Sequence, residues 1–179
     1  MITRPPGGRT RPPAGLDPCP DADPCNGTES CQAGVCTSSG GPALFDVKSV
    51  VLRGGGLALT GNVAPAGPIA PSSTDVVALT IDAGGAPRFA STLAHPASDL
   101  QWARSKPPVL FKYKDGSGAA GGMVLFQLKR RGSSYGLKVK GRSDQLAAGA
   151  ASARLVVGGQ CYAASLTCTK KGKAIRCTP

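Results

Sequence analysis

From Leu44 onward the chain alternates apolar and polar residues, the period of half-buried strands. The pattern is clearest in Val109-Leu110-Phe111-Lys112-Tyr113-Lys114, where Val109, Phe111 and Tyr113 point one way and Lys112 and Lys114 the other. It recurs in Val124-Leu125-Phe126-Gln127-Leu128-Lys129, which puts Val124, Phe126 and Leu128 on one face and Lys129 and Arg131 outward. Leu137-Lys138-Val139-Lys140 repeats it. Three successive strands thus bury aliphatics and aromatics and expose Lys or Arg. Further strands are predicted from Phe45 to Leu52, Leu57 to Asn62, Val76 to Asp82, Pro87 to Thr92, Ala153 to Val157, Tyr162 to Thr167 and Lys173 to Cys177. Turn signals separate them, among them Gly54-Gly55-Gly56, Gly84-Gly85, Asp115-Gly116, Gly121-Gly122, Gly158-Gly159 and Lys171-Gly172. The run from Gln145 to Ala151 is rich in alanine, but its glycine and lack of an apolar period favour a loop over a helical turn.

Many short strands at this spacing predict a mainly β domain over 43–179, an antiparallel β-sandwich. A faint internal repeat runs through it. Ser49-Val50-Val51-Leu52-Arg53-Gly54 leads to Leu57-Ala58-Leu59-Thr60-Gly61, and Leu125-Phe126-Gln127-Leu128-Lys129-Arg130-Arg131-Gly132 leads to Leu137-Lys138-Val139-Lys140-Gly141. A later strand follows in each half, Val76 to Ile81 and Ala153 to Val157. The reading is two related halves of about four strands each, packed face to face because each alone leaves an apolar face wet. Two ordinary hairpins that match by chance are the competing reading. Trp102 and Tyr113, between the halves, are expected to plug the core.

Composition agrees with strands. The 25 glycines and 16 prolines disfavour long helices, and with aromatics at 4% the core must rest on Val, Leu, Ile and Ala. Charge adds an asymmetry. The formal net charge is +11, yet from Asp17 to Glu29 every charged residue is acidic, and from Arg104 onward Lys and Arg are opposed only by Asp115 and Asp144. A basic C-terminal part suggests an anionic partner or simply a basic soluble surface.

Seven cysteines form two clusters: Cys19, Cys25, Cys31 and Cys36, then Cys161, Cys168 and Cys177. Their close spacing, with one histidine in the chain, argues for disulfides and an oxidising compartment rather than zinc. Cys168 and Cys177 flank a turn and would staple the last hairpin; Cys161 is then free or reaches back to the first cluster. Residues 1–16 read as a disordered Pro/Gly/Arg linker, and 17–42 as a Cys-rich segment ending in a short linker from Thr37 to Pro42. No apolar stretch follows Met1 that could serve as a signal peptide, so the expectation is a C-terminal piece of a longer exported protein or a misassigned start. Nothing is long and apolar enough for a membrane-spanning segment.

The segment Asp21-Ala22-Asp23-Pro24-Cys25-Asn26-Gly27-Thr28-Glu29-Ser30-Cys31, with Gly34-Val35-Cys36, resembles acidic cysteine-rich repeats that occur in tandem in exported proteins of predatory and soil bacteria. More remotely it is similar to disintegrin-like segments. Phe111-Lys112-Tyr113-Lys114-Asp115, Leu137-Lys138-Val139-Lys140-Gly141, Leu155-Val156-Val157 with Gly159-Gln160-Cys161-Tyr162, and Cys168 and Cys177 resemble a β-rich domain at the C-terminal ends of large secreted bacterial proteins of uncharacterised role. These resemblances imply extracellular location and a β fold, and no activity.

Three chemistries are candidates. Asp21, Asp23, Asn26 and Glu29 offer hard oxygen ligands for calcium, although the spacing is not that of an EF-hand; a solvated acidic turn clamped by disulfides is the alternative. No other cofactor is implied. Lys112, Lys114, Lys129, Arg131, Lys138 and Lys140 are expected on one sheet surface, as an anion-binding face or as solvated lysines that prevent edge-to-edge aggregation. The lack of interleaved aromatics argues against nucleic acid. For catalysis, His95 stands before Pro96 in a loop, and no nucleophile elbow, carboxylate pair or phosphate-cradling loop appears.

The functional expectation is a non-catalytic extracellular structural or adhesion module of a larger secreted or surface protein. Its partners would be copies of itself or the rest of a longer chain. Alternatives are a binding domain for an acidic polysaccharide or other anionic surface, and an accessory domain of a secreted hydrolase.

Overall fold

The computed structural model describes residues 25, 28–32, 35–39, 42–65, 69, 76–93, 102–104, 110–143 and 145–179, with backbone alone at 28–32, 35–39, 102–104 and 110. The chain divides into two units, Met1–Gly41 and Pro42–Pro179. In the first, β1 (Thr28–Gln32) pairs antiparallel with β2 (Val35–Ser39), with Cys31 opposite Cys36. The expected linker therefore begins later than Thr37, because hairpin pairing continues through Thr37, Ser38 and Ser39. Cys25 is disulfide-bonded. The linker at 1–16, Cys19 and the calcium candidates Asp21, Asp23 and Asn26 lie outside the described residues, as does the Glu29 side chain.

The second unit contains β3 (Ala43–Arg53), β4 (Gly56–Val63), β5 (Val77–Ala83), β6 (Ala86–Leu93), β7 (Trp102–Arg104), β8 (Leu110–Lys114), β9 (Met123–Arg131), β10 (Ser134–Arg142), β11 (Gly149–Val157), β12 (Gln160–Lys171) and β13 (Ala174–Thr178). The unit is mainly β and antiparallel, as the alternation requires. Its strands form one sheet in the order β6-β5-β11-β12-β13-β3-β4-β10-β9-β8-β7. Two-residue turns at Gly54-Gly55, Gly84-Gly85 and Gly158-Gly159 have positive φ at both positions, the geometry whose twist matches the flanking strands.

Here the architecture departs from a two-sheet sandwich: the sheet is continuous and curls into a half-barrel. The two halves lie side by side, joined by the antiparallel ladders β4·β10 and β5·β11, rather than face to face. Ladder pairing at these edges satisfies backbone groups that a face-to-face packing would leave open. Curling then buries one face against itself. The Ser91 hydroxyl on β6 donates to the Ala120 carbonyl at 2.6 Å, and the Ser143 hydroxyl to the Arg88 carbonyl at 2.9 Å, so the first strand in the order touches the segments flanking β9 and β10. Bulges at Val47/Ser49, Ile81/Asp82 and Lys140/Gly141 supply bending.

The repeat is real at the level of register. Leu59 faces Val139 at the centre of the β4·β10 ladder; Leu57 faces Gly141 on one side and Gly61 faces Leu137 on the other. Outside them Val47 stands opposite Gly61 and Met123 opposite Gly141, and pairing resumes past the bulge residues Lys48 and Val124 at Ser49↔Thr60 and Leu125↔Lys140. The β5·β11 ladder repeats the relation, with Ile81 facing Ala153 and Leu79 facing Leu155. A two-fold operation relates hairpin to hairpin, bulge to bulge. The bulge also corrects the inward face of β9: Met123, not Val124, is buried there.

Inward positions build one core from every long strand. Its central row reads Tyr113, Phe126, Val139, Leu59, Val50, Cys177 and Cys168 across β8, β9, β10, β4, β3, β13 and β12. All are buried. The row ends in the Cys168–Cys177 disulfide, which joins directly opposed residues nine apart in sequence. Tyr113 thus fills the core as expected; the Trp102 side chain is outside the described residues, although its backbone pairs with Tyr113. Closing so short a loop stabilises by about 2–3 kcal/mol. Cys168→Ala/Cys177→Ala should lower the urea-denaturation free energy by about that amount. Cys161, left open by the sequence as free or reaching back, is disulfide-bonded.

Candidate anion-binding face

Each strand that gives one face to the core presents the other to solvent, and the outer face of β3, β4 and β8 to β10 is where the basic residues gather. Lys114, Lys129, Arg131, Lys138 and Lys140 are exposed and Lys112 half-buried. Their spacing limits repulsion. Lys112 and Lys138 both face Gln127, and Lys114 and Lys140 both face Leu125, so neutral β9 residues separate the lysines of β8 from those of β10. Two strand spacings put such lysines about 10 Å apart, near the screening length in physiological salt.

The structure gathers three of the six predicted residues into one place. Lys129, Arg131 and Lys138 line a shallow groove of about 220 Å³, together with Lys48, Asn62, Gln127 and Thr60. Gly61 and Gly136 contribute the small residues of its lining. A Cβ at Gly136 would meet the Arg131 guanidinium at 3.1 Å, so that planar group lies close over the glycine backbone. The groove straddles the two-fold-related strands β4 and β10. Among the described residues no carboxylate lines it and none of its four cations has a carboxylate partner. Asp46, on its border, accepts a hydrogen bond from the Asn62 side-chain amide at 2.9 Å. Lys112, Lys114 and Lys140 share the outer face but not the groove. Lys48 and Asn62 escaped the sequence reading. Lys48 is the bulge residue of β3, and only its place in the repeat, equivalent to Val124, could have drawn notice.

Two other arginines on the unit serve structure. Arg142 donates to the Ser117 and Gly116 carbonyls at 3.2 and 2.9 Å, and Arg130 to the Gly132 carbonyl at 3.1 Å. Asp115, a turn residue in sequence, organises the loop between β8 and β9. It accepts from the Ser117 hydroxyl at 2.6 Å, the Ser117 amide at 2.8 Å and the Ala119 amide at 3.0 Å. The Ser117 hydroxyl, then its amide, chiefly hold this carboxyl below the usual range, with the Ala119 amide and Tyr113 hydroxyl adding to the effect. A depressed folded-state pKa contributes stability present above the unfolded value and lost as pH falls through the folded one. The stability difference between the wild type and Asp115→Ala should therefore be constant from neutral pH down to about 4 and shrink below it, as followed by urea denaturation across pH. Tyr162 is fully buried; its hydroxyl donates to Gln160 Oε1 at 2.6 Å, and burial, then the neighbouring Tyr135 phenol, push its pKa up. It is a core phenol kept neutral.

His95 and Asp99 lie outside the described residues. No helix among the described residues is long and apolar enough to cross a membrane. The disulfides indicate an oxidising environment. Neither a family model, nor a curated protein, nor a solved structure matches the chain.

Proposed function

We propose that the chain is a non-catalytic module of a larger secreted or surface bacterial protein, and that its Pro42–Pro179 unit adheres to an acidic polysaccharide or similar anionic polymer. The observation that carries this reading is the groove in which Lys48, Lys129, Arg131 and Lys138 converge beside Asn62 and Gln127 with no lining carboxylate among the described residues. Four cations held together by rigid strands repel one another unless an anion lies between them. The amides and hydroxyl beside them suit sugar hydroxyls and sulfate or carboxylate oxygens. A sheet that merely needed solubility would disperse its lysines, as Lys112, Lys114 and Lys140 are dispersed.

Heparin-resin retention tests this. Lys129→Gln/Arg131→Gln/Lys138→Gln should weaken affinity roughly tenfold at physiological salt, on the scale of exposed charge contacts. Lys112→Gln/Lys114→Gln, on the same face but off the groove, should weaken it distinctly less per charge removed. Equal shifts per charge from the two sets would mean diffuse charge and reject the groove.

A further inference from the structure

We infer that the anionic ligand is an extended linear polymer that crosses the sheet from this groove to a second cationic groove at the β12–β13 hairpin; the inference rests on the reading above. Arg53, Lys171, Lys173 and Arg176 line that second groove, of about 520 Å³, with Val51 and Ala174 and again no carboxylate among the described residues. Two strands far apart in sequence build it. Ala174 of β13 faces both Arg53 of β3 and Lys171 of β12, which brings the cations to its two sides.

Ladder register places the two grooves on one path. Arg176 faces Val51, Val51 faces Ala58 and Ala58 faces Lys140, with Lys138 of the first groove two residues along the same strand. From β13 to β10 is three strand spacings, about 14 Å. Between them lie only short neutral side chains, half-buried Val51 and exposed Ala58, so nothing rises to obstruct a chain laid across. The Cys168–Cys177 disulfide sits beside Arg176 and ties β13 to β12, holding the second set of cations on a hairpin that cannot fray. A compact anion fills one groove and gains nothing from the other. A polymer with charges repeated along its length engages both, and the second contact is then intramolecular.

Calorimetric titration of the full chain with a heparin disaccharide, too short to span the two grooves, and with unfractionated heparin distinguishes the cases. Wild type should bind the long chain at least about tenfold more tightly than the disaccharide. Arg53→Gln/Lys171→Gln/Arg176→Gln should still bind the disaccharide, through the first groove, while losing most of the preference for length. Thermal melting of the variant establishes that it is folded. A length preference that survives these substitutions overturns the two-groove path and leaves the first groove standing. Wild-type protein that binds neither probe overturns the anionic-polymer reading itself.

Discussion

Phe126→Ala is expected to cost about 3–5 kcal/mol, a large part of the stability of a domain this size. Phe126 is 0% exposed and sits mid-strand in β9, opposite Tyr113 on one side and Val139 on the other. Those neighbours are themselves held by ladders on both sides, so the sheet cannot collapse into the cavity. With few aromatics in the chain, little else can swing in to fill it. Phe126→Leu keeps most of the volume and should cost less than about 1.5 kcal/mol. Urea denaturation of both variants checks the pair; equal costs would mean the site relaxes freely.

The second large effect concerns two glycines that the repeat makes equivalent. Gly61→Ala should destabilise by about 3 kcal/mol, the upper end of overpacking, and Gly141→Ala by about 1. At Gly61 a Cβ would lie 2.6 Å from the Asp46 carbonyl oxygen and 2.9 Å from the Phe45 ring. Backbone in a ladder cannot step aside. At Gly141 the nearest atoms, at 2.7 and 2.9 Å, belong to the Phe89 ring, which can turn. Combining Gly141→Ala with Phe89→Leu should restore most of the loss, whereas Gly61→Ala has no such rescue. Chemical denaturation of the three variants reads the order. Equal costs for the single changes would show that both sites yield alike.

The strands themselves were legible because a period of two is written residue by residue: Phe45, Val47, Leu57, Leu59, Leu79 and Ile81 each fall where alternation puts them. The glycine turns were legible for the same local reason. The strand β7, three residues long, carries too little pattern to be seen, and the exchange of Met123 for Val124 followed from a bulge that alternation does not mark. In the candidate site, Lys129, Arg131 and Lys138 were readable as outward residues of consecutive strands. Lys48, Arg53 and Arg176 were not, because they join the basic face only once β3 and β13 are placed next to strands distant in sequence.

By itself the chain determined its class: alternating faces, sharp turns, a repeated hairpin and cysteines set for oxidation. Tertiary structure alone decided that the repeats pair edge to edge in one curled sheet instead of stacking, and hence which cations meet. The reason is physical. A strand's faces are set by neighbours one and two residues away, but the partner at its edge is chosen by backbone hydrogen bonds and core packing summed over the whole sheet.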